Sequence, residues 1–239
     1  MKRVPFTRHN TAVLLIDHQV GLFTGVRDIN VNELKHNVVG LAKAALILGL
    51  SVVATTTARD SMWGPIIPEL KAVLGDAHIH DRSIVNAWDC DRFVALVRQT
   101  GRDHLIIAGL SFEVCASLPA ISAREDGFHP VVVVDACGTF SDDKREAGLA
   151  RLNTLGIEVS DYATMMVEIM ADNADPQGQC RLCRGGHAIR YSDGPGSLRI
   201  GSTKVAAVSN NSSGPPPQAT LCTSYRRRHR QPGRAQAAD

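Results

Sequence analysis

The sequence predicts an α/β protein built on a three-layer, doubly wound sheet of six parallel strands. Short apolar runs, typical of strands buried on both faces, alternate along the chain with segments of helical spacing. Strands that alternate with helices form a parallel sheet with helices on both faces. With 44% hydrophobic residues in 239, the composition also supports a packed core.

The six predicted strands are residues 11–17, 51–57, 77–81, 105–108, 130–135 and 157–160; β-branched or aliphatic residues dominate all of them except 77–81, which has the weakest strand pattern. The predicted helices lie between them at residues 30–48, 69–74, 88–100, 111–123, 141–155 and 162–171. Gly49 is placed to end the first helix as a C′ glycine. Ser141 is placed as an N-cap, with two aspartates following it in the first turn.

The chain changes character near residue 173. Residues 1–172 carry 16 Lys and Arg against 21 Asp and Glu, a net charge of −5, whereas residues 173–239 carry 10 against 3. The second segment is rich in Gly, Ser, Pro and Arg and has few aliphatic residues, so it cannot bury enough surface to offset its ordering entropy. We expect a domain over residues 1–172 and a basic, disordered tail over 173–239. The overall charge of +2 then comes from the tail and does not indicate that the folded domain binds nucleic acid.

Several classes of protein do not fit the composition. No apolar run is long enough to span a membrane, and the mean hydropathy is −0.06. Residues 1–10 lack the apolar core of a secretory signal, so the six cysteines are expected to be reduced thiols in a cytoplasmic protein. No glycine-rich phosphate loop follows the first strand, which argues against a nucleotide cofactor.

Residues 104–118 are the stretch around which the other elements are arranged. A buried-strand pattern ends at Gly109, and Ser111 and Glu113 then mark a helix start. Cys115 is expected in the first helical turn, where unpaired N–H groups and the helix dipole favour thiolate over thiol. A buried structural cysteine is the alternative, since free cysteine is among the most buried residue types.

Three chemically matched residues follow strand carboxyl ends, where ligands bind in such sheets: Asp17, Arg82 and Cys115. A carboxylate can take the thiol proton, a cation can stabilise the charges, and the sulfur can attack a carbonyl to form a thioester. Backbone N–H groups around residues 109–111 and at Cys115 can bind the oxyanion. Taken singly, each residue also has a purely structural explanation: Asp17 could be a loop cap, Arg82 a surface charge and Cys115 a core residue.

Three segments resemble the isochorismatase-like cysteine hydrolases: residues 12–23, 106–115 and 132–140. Residues 84–93 are most similar to the YcaC-related branch. The resemblance covers residues 10–171 and implies a Rossmann-like sheet and an Asp, Lys and Cys triad. Asp17 and Cys115 match that triad, while Arg82 stands where the family has Lys. It also implies a cis peptide between Leu110 and Ser111, which would turn the Ser111 N–H toward the substrate oxygen beside the Cys115 N–H.

The resemblance also bears on metals and substrate. Nicotinamidases of this family hold a metal with Asp and two His after the second strand, but residues 57–64 contain no His, so no metal and no cofactor are expected. Cys115 points to an amide-type C–N bond in a small molecule. Phe23, Asn86 and Phe112 are the candidate pocket residues, although Asn86 could equally serve as a turn residue. Relatives form subunit contacts, which implies a homo-oligomer.

Three other functions remain open at this point. The Arg at position 82 and the atypical C-terminal segment allow a catalytically impaired small-molecule-binding protein on the same fold. A hydrolase of another type of bond is a second alternative. A regulatory module acting through the basic tail on acidic partners is a third.

Overall fold

The computed structural model describes residues 4–75, 79–172 and 174, and its centre is a sheet of six parallel strands. The strands are β1 (Thr11–Ile16), β2 (Ser51–Thr57), β3 (Ile79–Arg82), β4 (His104–Gly109), β5 (His129–Val133) and β6 (Glu158–Ser160). Their order across the sheet is β3-β2-β1-β4-β5-β6. The predicted fold class is therefore confirmed.

Seven α-helices connect or flank these strands in the described residues: α1 (Val20–Phe23), α2 (Val31–Leu48), α3 (Pro68–Leu74), α4 (Asp91–Gln99), α5 (Ser117–Glu125), α6 (Asp142–Thr154) and α7 (Tyr162–Met170). Helix α2 packs against α3 and α7 on one face of the sheet. Right-handed crossovers place α4, α5 and α6 on the other face, where α5 contacts α6. The caps at Gly49 and Ser141 are formed as predicted.

The central strands are buried along their whole length because helices cover both faces. Every residue of β1 and β4 is buried, which explains why these strands read as continuous apolar runs in the sequence. The order of the strands reverses between β1 and β4, where Ile16 pairs with Gly109. In open α/β sheets the crevice at such a reversal is the usual place for a ligand.

The structure differs from the predicted elements at three places. Strand β5 ends at Val133, because Val134–Ala136 forms a 3₁₀ turn that leads the chain away from the sheet. The predicted helix over residues 88–100 is divided at Cys90 into a 3₁₀ turn and α4. The short helix α1 was not predicted, since four residues are too few to show a helical period.

Two findings concern the ends of the chain and membranes. None of the helices within the described residues has the length and apolar character that crossing a bilayer requires. The predicted basic tail over residues 173–239 lies outside the described residues apart from Ala174, so its disorder and the domain boundary at residue 172 stay predictions.

His18 links the end of β1 to the turn after β5. Its ring is fully buried, and Nε2 lies 3.0 Å from the Ala136 carbonyl oxygen, to which it donates. Burial lowers the pKa of His18 from 6.5 to about 4, because the charged ring would lose its hydration. The folded protein thus holds a neutral imidazole that the unfolded chain would protonate below pH 6.5.

We therefore expect stability to fall as the pH decreases from about 6.5 towards 4. At pH 5 the loss due to His18 should be about 2 kcal/mol. Urea unfolding at pH 7 and pH 5 measures it. The matched variant His18→Gln keeps an N–H donor but does not titrate, so it should lose correspondingly less; equal losses in both proteins would contradict the assignment.

Candidate active site

Asp17 lies directly after β1 in an unusual backbone conformation. Its φ is +60°, a region that few residues other than glycine adopt but that Asp tolerates better than most. The backbone is held there by hydrogen bonds from the Asp17 N–H to the Thr55 carbonyl (3.0 Å) and from the Gln19 N–H to the Asp17 carbonyl (2.8 Å). Such enforced conformations concentrate at functional sites.

Arg82 reaches across β2 to form a buried ion pair with Asp17. Its Nη2 lies 2.5 Å from Asp17 Oδ2, and the two side chains are 1% and 0% exposed. Nη1 donates to the carbonyls of Ile84 and Val85, the second at 3.0 Å. The other oxygen of Asp17 accepts from Thr55 Oγ1 at 3.1 Å. Two strand ends and the loop after β3 therefore hold the carboxylate in one orientation.

Cys115 lies beside this pair, on the helical segment that follows β4. That segment begins as a wide π-helical turn over Phe112–Ala116 and continues as α5. Single turns of this kind are frequent at functional sites. The Cys115 thiol is close enough to the Asp17 carboxyl group and to Arg82 for both to affect its pKa. The acid, the cation and the thiol expected from the sequence thus lie together at the carboxyl edge of the sheet.

Burial and mutual charge set the protonation of this group. Burial raises the pKa of Asp17, and the charge of Arg82 with the hydrogen bonds from Cys115 and Thr55 partly offsets that effect. The pKa of Cys115 is raised well above 9.0, first by burial and then by the neighbouring Asp17 charge, while Arg82 opposes the rise. Cys115 therefore rests as a neutral thiol, beside a carboxyl group that is paired with Arg82.

The expectation that position in the first helical turn would favour the thiolate was wrong. Cys115 is only 8% exposed, so the loss of hydration of a charged sulfur outweighs the field of the helix. The charge of the neighbouring Asp17 raises the pKa of the thiol further. Neither the burial nor that contact could be read from the spacing of residues along the chain.

The Ser111 N–H faces the Cys115 sulfur and acts to lower the pKa of the thiol. The peptide between Leu110 and Ser111 is cis, as the family resemblance implied. The Cys115 N–H, expected as a second oxyanion donor, instead donates to the Ser111 carbonyl at 2.7 Å. Ser111 thus offers the donor directed at the reacting sulfur, whereas Cys115 could contribute only through a bifurcated bond.

The three candidate pocket residues have structural roles. Phe112 is fully buried beside Gly148 of α6, so its assignment to an accessible pocket wall is corrected. Asn86 caps the turn at Ala87–Asp89, because its Oδ1 accepts from the Trp88 N–H at 3.2 Å. Asn86 therefore has the turn role that the sequence analysis gave as the alternative to a pocket role. Phe23 is 5% exposed, and its ring centroid lies 6.4 Å from that of His18.

Sequence reasoning missed two residues that support the site. Thr55 orients the Asp17 carboxylate, and its position at the end of β2 was the available signal. Gln19 is fully buried. Its side-chain amide donates to the carbonyls of Thr57 and Gly64, and its side-chain oxygen accepts from the Thr57 N–H. It thereby ties the loop after β2 to the end of β1. A polar residue next to a strand end carries no signal for such a contact.

The described residues offer no alternative centre of reactivity. Across residues 4–75 and 79–172, no group of three His, Cys, Asp or Glu side chains is arranged to hold a metal ion. The absence of a metal and a cofactor stays a prediction for the whole chain. Two surface cavities of about 430 and 440 Å³ lie at the amino-terminal side of β4 to β6 and beside β2 and β3, and neither is lined by the triad.

The coupling between Cys115 and Asp17 predicts a specific response to Asp17→Asn. Removing the carboxylate charge lowers the pKa of the thiol, so the pH midpoint of Cys115 alkylation by iodoacetamide should shift downward. Peptide mass spectrometry of residue 115 measures the midpoint. Asp60→Asn, at an exposed residue outside the site, is the matched control and should not shift it. An unchanged or higher midpoint in Asp17→Asn would contradict the coupling.

Comparisons with known proteins agree with this architecture. Residues 11–164 match the family model of the isochorismatase domain. The chain is 40% identical over 170 residues to the probable hydrolase YcaC of Escherichia coli K12, covering 71% of this chain and 82% of YcaC.

Two solved structures are similar throughout the fold. The YcaC gene product of Escherichia coli, an octameric hydrolase of unknown specificity, has a TM-score of 0.73 and 38% identity, covering 77% of this chain and 92% of that one. YcaC from Pseudomonas aeruginosa, solved with hexane-2,5-diol and covalent acrylamide, has a TM-score of 0.72 and 37% identity, covering 76% and 92%. The chain therefore belongs to the isochorismatase family of hydrolases, in its YcaC-related branch.

Proposed function

We propose that this protein is a cysteine hydrolase that cleaves an amide-type C–N bond of a small molecule through a thioester intermediate. The observation that carries the proposal is the buried ion pair of Asp17 and Arg82 at the reversal of strand order, whose carboxyl group interacts with the Cys115 thiol. A nucleophile with an adjacent, oriented base is the arrangement that covalent catalysis requires. The buried structural cysteine of the alternative would have no need of a charged partner.

Asp17 acts as the base in the first step. The carboxylate takes the thiol proton while the sulfur bonds to the carbonyl carbon of the substrate, so no free thiolate forms beforehand. Burial raises the pKa of Asp17 towards neutral pH, which suits a group that must both accept and return a proton. The carbonyl oxygen becomes an oxyanion and accepts a hydrogen bond from the Ser111 N–H, with Cys115 as the second donor.

The same proton then completes the reaction. Protonated Asp17 gives it to the leaving nitrogen, the C–N bond breaks, and a thioester remains on Cys115. A water molecule loses a proton to Asp17 as it attacks the thioester, and the acid product departs when the sulfur recovers that proton. Asp17 performs every proton transfer, so Arg82 never has to become neutral. The replacement of the family's Lys by Arg is compatible with this mechanism.

Exposure favours a small substrate. The three residues of the triad are buried, with Asp17 0%, Arg82 6% and Cys115 8% exposed. A compact carbonyl group can reach the sulfur, whereas a polymer could not.

We also propose that the chain forms a homo-oligomer in the cytoplasm. The octameric state of the similar Escherichia coli protein supports the assembly. The exposed Met62 and Val85, at 79% and 61%, are apolar surface that a subunit contact could cover. Light scattering of the full chain measures the number of subunits.

Replacement of the nucleophile tests the function directly. Small primary amides, N-carbamoyl compounds and nicotinamide are screened for ammonia release, and Cys115→Ala is then assayed on any substrate that the parent hydrolyses. We expect kcat to fall by about 10³-fold or more, because the covalent route is lost. Cys90→Ser changes a cysteine outside the site and should keep full activity. Full turnover by Cys115→Ala would refute the mechanism and favour a binding function for this fold.

Arg82 should act through its charge. Arg82→Lys keeps the cation beside Asp17 and should retain kcat/KM within about tenfold. Arg82→Met leaves Asp17 buried and unpaired, which should cost about 3–5 kcal/mol of unfolding free energy and abolish turnover. Steady-state kinetics and urea unfolding measure the two effects. A fully active and stable Arg82→Met protein would remove Arg82 from the site.

A further inference from the structure

Three consecutive residues after β5 contact the segment that carries the nucleophile, one after another in register. We define the nucleophile turn as residues 109–115 and propose that residues 137–139 are its positioning template. The template sets the placement of the Ser111 N–H and the Cys115 sulfur relative to Asp17 without touching the substrate. The inference rests on the proposed function for its kinetic readout only.

The first contact is made by Cys137. Its Sγ accepts a hydrogen bond from the Gly109 N–H at 3.3 Å and donates to the Val133 carbonyl at 3.2 Å. Cys137 is fully buried, and burial raises its pKa to about 12, so it stays a thiol that can donate and accept together. The sequence gives this cysteine no role, yet its sulfur pairs the last N–H of β4.

The second contact is made by Gly138. Its carbonyl accepts from the Phe112 N–H at 2.9 Å, and Leu110 and Gly138 form an isolated parallel bridge. An added Cβ at Gly138 would lie 2.9 Å from Leu110 Cδ1 and 2.6 Å from Leu34 Cδ2. Only glycine therefore lets the template approach the nucleophile turn this closely.

The third contact is made by Thr139. Its Oγ1 donates to Glu113 Oε2 at 2.6 Å, and Glu113 lies two residues before the nucleophile. Thr139 is fully buried, so this charge-assisted bond is shielded from water. Lys144 approaches the other oxygen of Glu113 only at 3.9 Å. The Thr139 hydroxyl is thus the strong partner that holds the middle of the turn.

The template is itself anchored from behind by an ion pair. Asp28 Oδ1 accepts from the Thr139 N–H at 2.7 Å, and Asp28 Oδ2 lies 2.5 Å from Arg145 Nε. Arg145 also donates to the Cys137 carbonyl at 2.9 Å, and its guanidinium lies 5.4 Å from the centre of the Phe112 ring. The Asp28 side chain is fully buried, so the pair is a fixed support between helix α6 and the template.

The consequence is a rigid distance between the thiol and its base. Asp17 is fixed by β1, β2 and Arg82, whereas Cys115 is fixed by the contacts of the nucleophile turn. A shift of about 1 Å between reacting groups can cost two orders of magnitude in rate. The groups that face the Cys115 sulfur are Asp17, Arg82 and the Ser111 N–H, so a displaced sulfur changes its pKa as well as its reactivity.

The test uses Thr139→Val, which removes the hydroxyl and keeps the shape of the side chain. We expect kcat of the amide reaction to fall by about tenfold with KM within about twofold. The pH midpoint of Cys115 alkylation should fall by about half a unit, because a sulfur that moves away from Asp17 loses the charge that raises its pKa. Thr139→Ser restores the hydroxyl and should recover both values.

Glu113→Ala removes the acceptor of the bond between Thr139 and Glu113 and is the second test variant if Thr139→Val does not fold. The two substitutions act on one bond, so the double variant should show no larger midpoint shift than either single variant. Thr154→Val removes an exposed hydroxyl of α6 that donates to the Ala150 carbonyl, and it should leave the midpoint unchanged. The alkylation readout needs no substrate, so it tests the template even if no amide is hydrolysed.

Three results would overturn the proposal. A midpoint for Thr139→Val and for Glu113→Ala equal to that of Thr154→Val would show that the template does not position Cys115. Additive shifts in the double variant would show that the two residues act separately. A lower unfolding free energy alone, with the midpoint and kcat unchanged, would assign residues 137–139 to stability only.

Discussion

The buried ion pair between Asp17 and Arg82 is the interaction on which the site depends. Asp17 follows β1 and Arg82 is the last residue of β3, so β2 lies between them, and both side chains are withdrawn from water. A lone carboxylate in this position would be driven to its protonated form by the loss of hydration. The guanidinium, held by two backbone carbonyls of its own, keeps a charged acceptor next to the sulfur.

Asp17 raises the pKa of the thiol, whereas the thiol lowers the pKa of Asp17, and this coupling bears on how the nucleophile is activated. A site with a preformed thiolate would need a positive partner closer to the sulfur than any negative one. Here Asp17 affects the thiol more strongly than Arg82 does. In the mechanism that we propose, activation therefore occurs as the sulfur attacks, by transfer of its proton to the Asp17 carboxylate.

The reversal of strand order brings the reacting groups together, but it does not set their spacing. Asp17 and Cys115 follow neighbouring strands, so the fold alone places them within several ångströms. The final placement comes from a third strand: the chain after β5 returns to contact Gly109, Phe112 and Glu113. Pairs of buried charges on both sides of the site, at Arg82 and at Arg145, hold these loops in fixed positions.

The sequence by itself determined the alternation of strands and helices, the six-stranded parallel sheet and the residues that share its carboxyl edge. Burial on both faces gives strands such as β1 and β4 continuous apolar sequences, and helix caps such as Gly49 and Ser141 are local signals. Only the tertiary structure decided the protonation of Cys115, the turn role of Asn86, and the contacts of Thr55, Cys137 and Thr139. These depend on burial and on partners that are distant in sequence, which no local pattern records. Asp17 and Arg82, for example, are 65 positions apart.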